Sequence, residues 1–208
     1  MPLRVPPGRA GRPWLAHRID VARRGAEVLD QKHQALLREQ LRLRGLLAET
    51  ESEWDACARV AGTWLRRAAL LAGERRLRLA RFYARGSAHI ELTWRNSLGV
   101  VYPADAQLTL PDAPDFAALG GSSALVDAAA AHRLALEAAA RLGAARMAYE
   151  RVTAELERAA RRLRAIEHRW LPEHERALAA LELGLDEGER EDAARIRWVR
   201  RNLAGRRP

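Results

Sequence analysis

The sequence is poor in the residues that cross-link or punctuate a chain. Its one cysteine, Cys57, excludes a disulfide framework and any cysteine-based zinc site, and reads as a small buried residue. Its one lysine, Lys32, follows Gln31 with no glycine-rich turn before it, which excludes a phosphate-binding P-loop. Only 6 Trp, 3 Tyr and 2 Phe occur, and the β-branched strand formers are scarce too, so an all-β fold is ruled out and a large α/β sheet disfavoured. An apolar run as long as any in the chain, Ala68 to Ala72, falls far short of the roughly 18 residues that span a bilayer. The opening MPLRVPPGRAGRP has no apolar signal-peptide core. A soluble, cytoplasmic chain without direct membrane insertion is expected.

What remains is helix-forming. The 208 residues include 42 Ala, 31 Leu and 35 Arg, together more than half the chain. From Ile19, alternating steps of three and four reach Leu71 through sixteen positions, of which thirteen are apolar; His33, Gln40 and Thr50 are the exceptions. No proline interrupts from Trp14 to Tyr83. Such a sustained seam predicts a coiled-coil helix, and about 70 residues at about 1.5 Å each make a rod of roughly 105 Å.

A second seam runs from Ala124 to Trp170 and is apolar at fourteen positions of fourteen. Gly120 and Gly121 break the chain before it, and Ser122 or Ser123 can cap the new helix. Pro172 is expected to kink that helix. The seam then resumes through His174, Leu178, Leu181 and Leu185 after an extra four-residue step, a stutter that unwinds a coiled coil locally.

Two seams of similar length predict an all-α fold: a long antiparallel two-helix coiled coil, or helical hairpin, with a small β-hairpin insert. One elongated domain over 1–208 is expected, with helix 1 at about 14–84, the insert at about 85–121 and helix 2 at about 122–203. Within the insert, His89 to Trp94 alternates with period two, Asn96 to Gly99 supplies turn residues, and Val100 to Pro103 supplies the return strand.

Charge is unevenly placed along a chain of net charge +9. Residues 1–24 carry +5 and residues 195–208 carry +6, whereas the stretch between Arg95 and Arg133 has no Lys or Arg and four aspartates. An antiparallel hairpin brings both termini to one tip, so that tip is expected to concentrate about +11. The surface candidates there are Arg9, Arg18, Arg195, Arg197, Arg200 and Arg201.

No catalytic constellation stands out. The six histidines are scattered, no HExxH occurs, and the acidic run Glu187 to Asp192 reads as a solvated helix face. No catalytic residue, metal site or cofactor is expected. The basic tip fits either nucleic-acid phosphates or an acidic protein partner, and composition alone does not choose between a basic nucleic-acid-binding coiled coil, a scaffold and a component of a larger assembly. Against nucleic acid, Trp14 and Trp198 are the only aromatics near the tip.

Particular residues do choose. Pro6-Pro-Gly-Arg9, Gly25, Val28-Leu29, Lys32 and Leu36 are similar to the N-terminal pattern of the D subunits of V-type and A-type rotary ATPases (ATP synthases). Arg161-Arg162, Ala165-Ile166-Glu167, Pro172, Leu185-Asp186-Glu187, Glu189-Arg190-Glu191 and Arg195-Ile196-Arg197 resemble that family's C-terminal pattern, a helical proline followed by an LDExERE run. Gly99-Val100 and Pro103 resemble its Gly-Val-x-x-Pro turn.

The resemblance implies a non-catalytic rotor of the central stalk that transmits torque during ATP synthesis or hydrolysis and ion or proton transport. Its implied partners are the A and B subunits of the catalytic head, the smaller F subunit of the stalk and a membrane-side connecting subunit, with no nucleic acid. Its implied place is cytoplasmic, peripheral to the membrane. Insert residues Ile90, Trp94, Asn96, Gly99, Val100 and Pro103 are then candidates for contact with the head's rim or with the F subunit.

Overall fold

The computed structural model describes residues 5–83, 86–112 and 122–204. A short 3-10 turn at Gly8–Ala10 leads into α1, Gly11–Tyr83. A β-hairpin follows, β1 His89–Ser97 and β2 Val100–Thr109, and then α2, Ser123–Ala165. One wide π-type turn, Ile166–Trp170, joins α2 to α3, Leu171–Ala204. The helical hairpin with a β insert is thus the observed architecture. The insert predicted at about 85–121 lies partly outside the described residues, which omit 84–85 and 113–121.

The chain divides into two compact units, Met1–His33 with Arg158–Pro208, and Gln34–Glu157. In each, the helices pair antiparallel. Within the first unit Arg9 meets Glu189, Arg12 meets Glu182 and Arg23 meets Glu175, at 2.7 to 2.9 Å. Within the second, Gln40 donates to Thr153 at 2.9 Å and Arg141 meets Glu53 at 2.7 Å. Advancing along one helix therefore means retreating along the other.

The apolar periodicity accounts for what is inside. Ile19, Ala26, Leu36, Leu43, Ala61 and Ala68 of the first seam are buried, and of its sixteen positions only Trp54 and Leu71 are exposed. All fourteen positions of the second seam are buried or half-buried. Alanines recur along this interface (Ala124, Ala128, Ala131, Ala138, Ala145), and their small side chains let the helix backbones approach closely.

Three local features depart from the sequence expectation. First, α1 is not continuous: Gly73 takes φ 76°, ψ 155°, a conformation that favours glycine. Leu77 packs against Ala68, Ala124, Leu125 and Ala128. In an unbroken helix nine residues rotate a side chain by about 900°, to the face opposite Ala68, so the break is what lets Leu77 reach that cluster. Leu71, at the break, is left 71% exposed.

Second, the irregularity expected from Pro172 takes the form of the wide turn, in which the Leu171 N–H donates to the Ile166 carbonyl, five residues back. A π-type turn accommodates one extra residue within a helix. It thereby takes up the additional four-residue step in the seam, and His174 is buried while Leu178, Leu181 and Leu185 are half-buried.

Third, α2 starts at Ser123 with the Ser122 carbonyl accepting from the Leu125 N–H at 2.9 Å. The Ser122 hydroxyl oxygen is buried with no hydrogen-bond partner, so it does not serve as the side-chain cap.

Candidate partner-binding site

The β-hairpin is built by a two-residue turn. Ser97 pairs with Val100, and Leu98 and Gly99 between them have φ of 54° and 84°, the primed geometry that matches strand twist. The turn thus lies beyond the predicted Asn96, which stays in β1 and accepts the Gly99 N–H through Oδ1 at 3.1 Å. A register shift between Thr93 and Trp94 leaves Ala104 unpaired on β2, beside Pro103, which has no N–H to give.

The two strands have opposite fates. On β2, Val100, Tyr102, Pro103 and Ala106 are buried; Val100 and Tyr102 enter the cluster of Leu36, Leu43, Ala148, Val152 and Leu156. The Tyr102 hydroxyl donates to Glu39, and Glu39 also receives the Arg42 guanidinium at 2.8 Å. The Arg42 hydrogen bond, with help from Tyr102 and against partial burial, holds the Glu39 carboxyl below its ordinary range. Burial first, then the neighbouring Glu39, pushes the Tyr102 phenol up. Arg151 of α2 clamps the hairpin from the other helix, donating to the Val101 carbonyl at 2.9 Å with its guanidinium 5.2 Å from the Trp94 ring centre.

β1 is exposed over nearly its whole length, including Ile90 and Trp94. Of the predicted insert contacts, Ile90, Trp94, Asn96 and Gly99 lie at the surface, while Val100 and Pro103 are buried, Val100 against the helices that carry the hairpin.

The arginines predicted for the tip separate into two groups. Arg9 is ion-paired to Glu189, and Arg18 lies between two indoles, its guanidinium 4.7 Å from the Trp14 ring centre and 5.7 Å from that of Trp170. Other N-terminal charge is matched as well: Arg12 by Glu182, Arg23 by Glu175 and Arg24 by Asp20. The expected pool of about +11, which already counts Asp20, is therefore reduced on the N-terminal side by α3 carboxylates.

Arg195, Arg197, Arg200 and Arg201 are different. They sit on α3, and every residue from Asp186 to Asn202 is exposed. The Arg197 guanidinium donates to its own helix, at the Ala193 carbonyl 3.2 Å away. Between these arginines Ile196, Trp198 and Val199 are open to solvent, Trp198 at 66%. Reasoning from charge alone passes over these three. Their signal in the sequence is the end of the seam at Leu185, beyond which Ile196, Trp198 and Val199 are exposed.

Among the described residues no group of three or more His, Cys, Asp or Glu is placed to hold a metal ion, and no helix is long and apolar enough to cross a membrane. Among the described residues, what this predominantly helical chain leaves open to solvent includes a basic stretch of α3 in one unit and the strand β1 in the other. Comparison with known proteins gives the family. The family model for the D subunit of ATP synthase matches residues 14–201, and the chain belongs to that family.

The chain is similar to the V-type ATP synthase D subunit of Anaeromyxobacter sp. (strain Fw109-5), at 30% identity over 99% of each chain. It is also similar to the A-type ATP synthase D subunits of Pyrococcus horikoshii and Pyrococcus abyssi, each at 28% identity over 98% of this chain and 97% of the relative. It is one component of a V/A-type ATPase and so works as part of a complex.

Proposed function

We propose that this chain is the central rotor of its ATPase, passing torque between the catalytic head and the membrane ion-translocating ring without catalytic residues of its own. The observation that carries the reading is the exposed end of α3, where four arginines alternate with Ile196, Trp198 and Val199. Arginine stays charged at any working pH and can engage carboxylates through two N–H groups. Each exposed ion pair contributes about 0–1 kcal/mol, weak enough to be exchanged as the helix turns against successive carboxylates of the head's A and B subunits.

The exposed strand β1 supplies a second surface, through Ile90 and Trp94, for the head's rim or for the F subunit of the stalk. A membrane-side connecting subunit completes the set of partners, and the protein works peripheral to the membrane on its cytoplasmic side. Reversing the charge of Arg195, Arg197, Arg200 and Arg201 together tests the reading in reconstituted vesicles. ATP hydrolysis that continues without ion pumping, in a chain still folded, is the expected result; unchanged coupling overturns it.

A further inference from the structure

The wide turn at Ile166–Trp170 is packed against an unusual column of side chains, all within one compact unit. The rings of His174 and Trp170 are stacked, with centres 3.6 Å apart and planes 19° apart. The Arg18 guanidinium lies over the Trp170 ring and, more closely, over Trp14, one turn earlier on α1. His174 is buried at 5% exposure, and its Nδ1 lies 2.9 Å from the Trp170 carbonyl oxygen. One turn of α1 thus grips the end of the wide turn through two indoles, a guanidinium and an imidazole.

This placement is where support is most needed. A wide turn departs from the regular hydrogen-bond pattern of the α-helix around it. Pro172, two residues beyond, has no N–H to offer the preceding carbonyls. The regular hydrogen-bond ladder of the second helix is therefore interrupted at the point where the column grips it.

We infer that the Ile166–Trp170 turn is a flexure point of the second helix and that the Trp14–Arg18–Trp170–His174 column is the lock that holds it closed. Arg18 is then a positioning residue acting through Trp170, not a contact for a partner protein. The guanidinium suits that role because it is planar and weakly hydrated, and stacks on indole faces as an ammonium does not. Among the described residues of this unit, Arg18 is the arginine held between two aromatic rings. The inference is independent of the rotor reading, because the lock is made within the isolated chain.

Hydrogen exchange on the purified full-length protein tests it. Local opening is read amide by amide, since exchange reports the free energy of opening of each segment. Arg18→Ala is expected to speed exchange of the amides from Glu167 to Glu175 by about tenfold or more, and to leave those of Ala148 to Leu156 unchanged. Arg18→Lys, which keeps the charge without the planar stack, is expected to recover only a small part of the protection.

A second variant removes the flexure itself: deletion of Glu167 combined with Pro172→Ala restores a regular helical turn. In that background Arg18→Ala is expected to have no effect on exchange in this segment. Exchange that changes less than about twofold with Arg18→Ala in the native background overturns the inference. So does full protection in Arg18→Lys, or an equal Arg18→Ala effect after the wide turn has been removed.

Discussion

The Tyr102 hydroxyl donates to the Glu39 carboxylate, tying the return strand of the hairpin to α1 through a side chain that Arg42 already holds. Tyr102 is fully buried, whereas the strand beside it is almost entirely exposed. The hairpin is thus anchored through one strand and offers the other. Phenylalanine at 102 retains the ring but leaves Glu39 short of a donor. A hydrogen bond to a charged group contributes about 1.5–3 kcal/mol. Tyr102→Phe is expected to destabilise the protein within that range, measured as the shift of the urea midpoint at constant m-value.

The same pair sets a pH window for hairpin docking. Glu39 has its carboxyl depressed by Arg42, so its stabilising effect is present above its ordinary value of 4.5 and is lost as pH falls through the lower folded value. Tyr102 has its phenol raised by burial, so its effect is present below the ordinary 10.0 and is lost as pH rises through the higher folded value. Near-ultraviolet dichroism of the hairpin aromatics should therefore be flat between those limits and fall on both sides. Glu39→Gln should remove the contribution of this pair to the acid limb.

Leu98 occupies the left-handed region at an exposed turn position, where a side chain with a Cβ is disfavoured by about 1–2 kcal/mol. Leu98→Gly removes that steric strain, and Leu98→Asn substitutes the residue that such turns favour. Leu98→Asn is expected to raise stability by about 1 kcal/mol, seen as a higher melting temperature; an unchanged or lower one would show that Leu98 is held by contacts elsewhere.

Two leucines of the first seam separate its buried part from its end. Leu43 is 1% exposed and belongs to the same core cluster as Val152 and Tyr102, so Leu43→Ala is expected to cost about 2–5 kcal/mol. Leu71 continues the same periodicity but lies at the Gly73 break in solvent, and Leu71→Ala is expected to change stability by less than about 0.5 kcal/mol. Denaturant melts of the two variants, side by side, check both figures.

Gly73→Ala should destabilise, since alanine is disfavoured at a φ of 76° even though no atom lies near the new Cβ. A loss of about 1–2 kcal/mol with no change in helix content is expected, by thermal melting followed at 222 nm.

These contrasts mark how far sequence reasoning reaches. The seams are legible because burial follows a period, and a repeated error in it would expose half the core. The strands are legible from alternation, although β2 runs on to Thr109, past the expected Pro103, through alternate burial too sparse to read in Ala-Asp-Ala-Gln. The break at Gly73 is not legible: Gly25, Gly45 and Gly62 sit in the same helix and keep helical geometry. What distinguishes Gly73 is the packing of Leu77, a tertiary effect. At the candidate site charge alone points to the C-terminal arginines. It does not reveal the pairing of Arg9 with Glu189, because an acidic run by itself looks like a solvated face. The grip of Tyr102 on Glu39 is hidden for a similar reason, since residues 63 positions apart leave no local pattern.

The three arginine–glutamate pairs of the first unit have a property that bears on assembly of the hairpin itself. Glu175, Glu182 and Glu189 are spaced at intervals of seven along α3. Sliding α3 by one heptad would carry Arg9 to Glu182 and Arg12 to Glu175, so two of the three pairs would re-form in the wrong alignment. Charge here is a ruler with identical gradations: it measures seven but does not say which seven. The zero of that scale has to come from features that do not repeat every seven residues along α3, and among the described residues of this unit those include Pro172, the wide turn and the closing of Trp14 and Trp170 on Arg18.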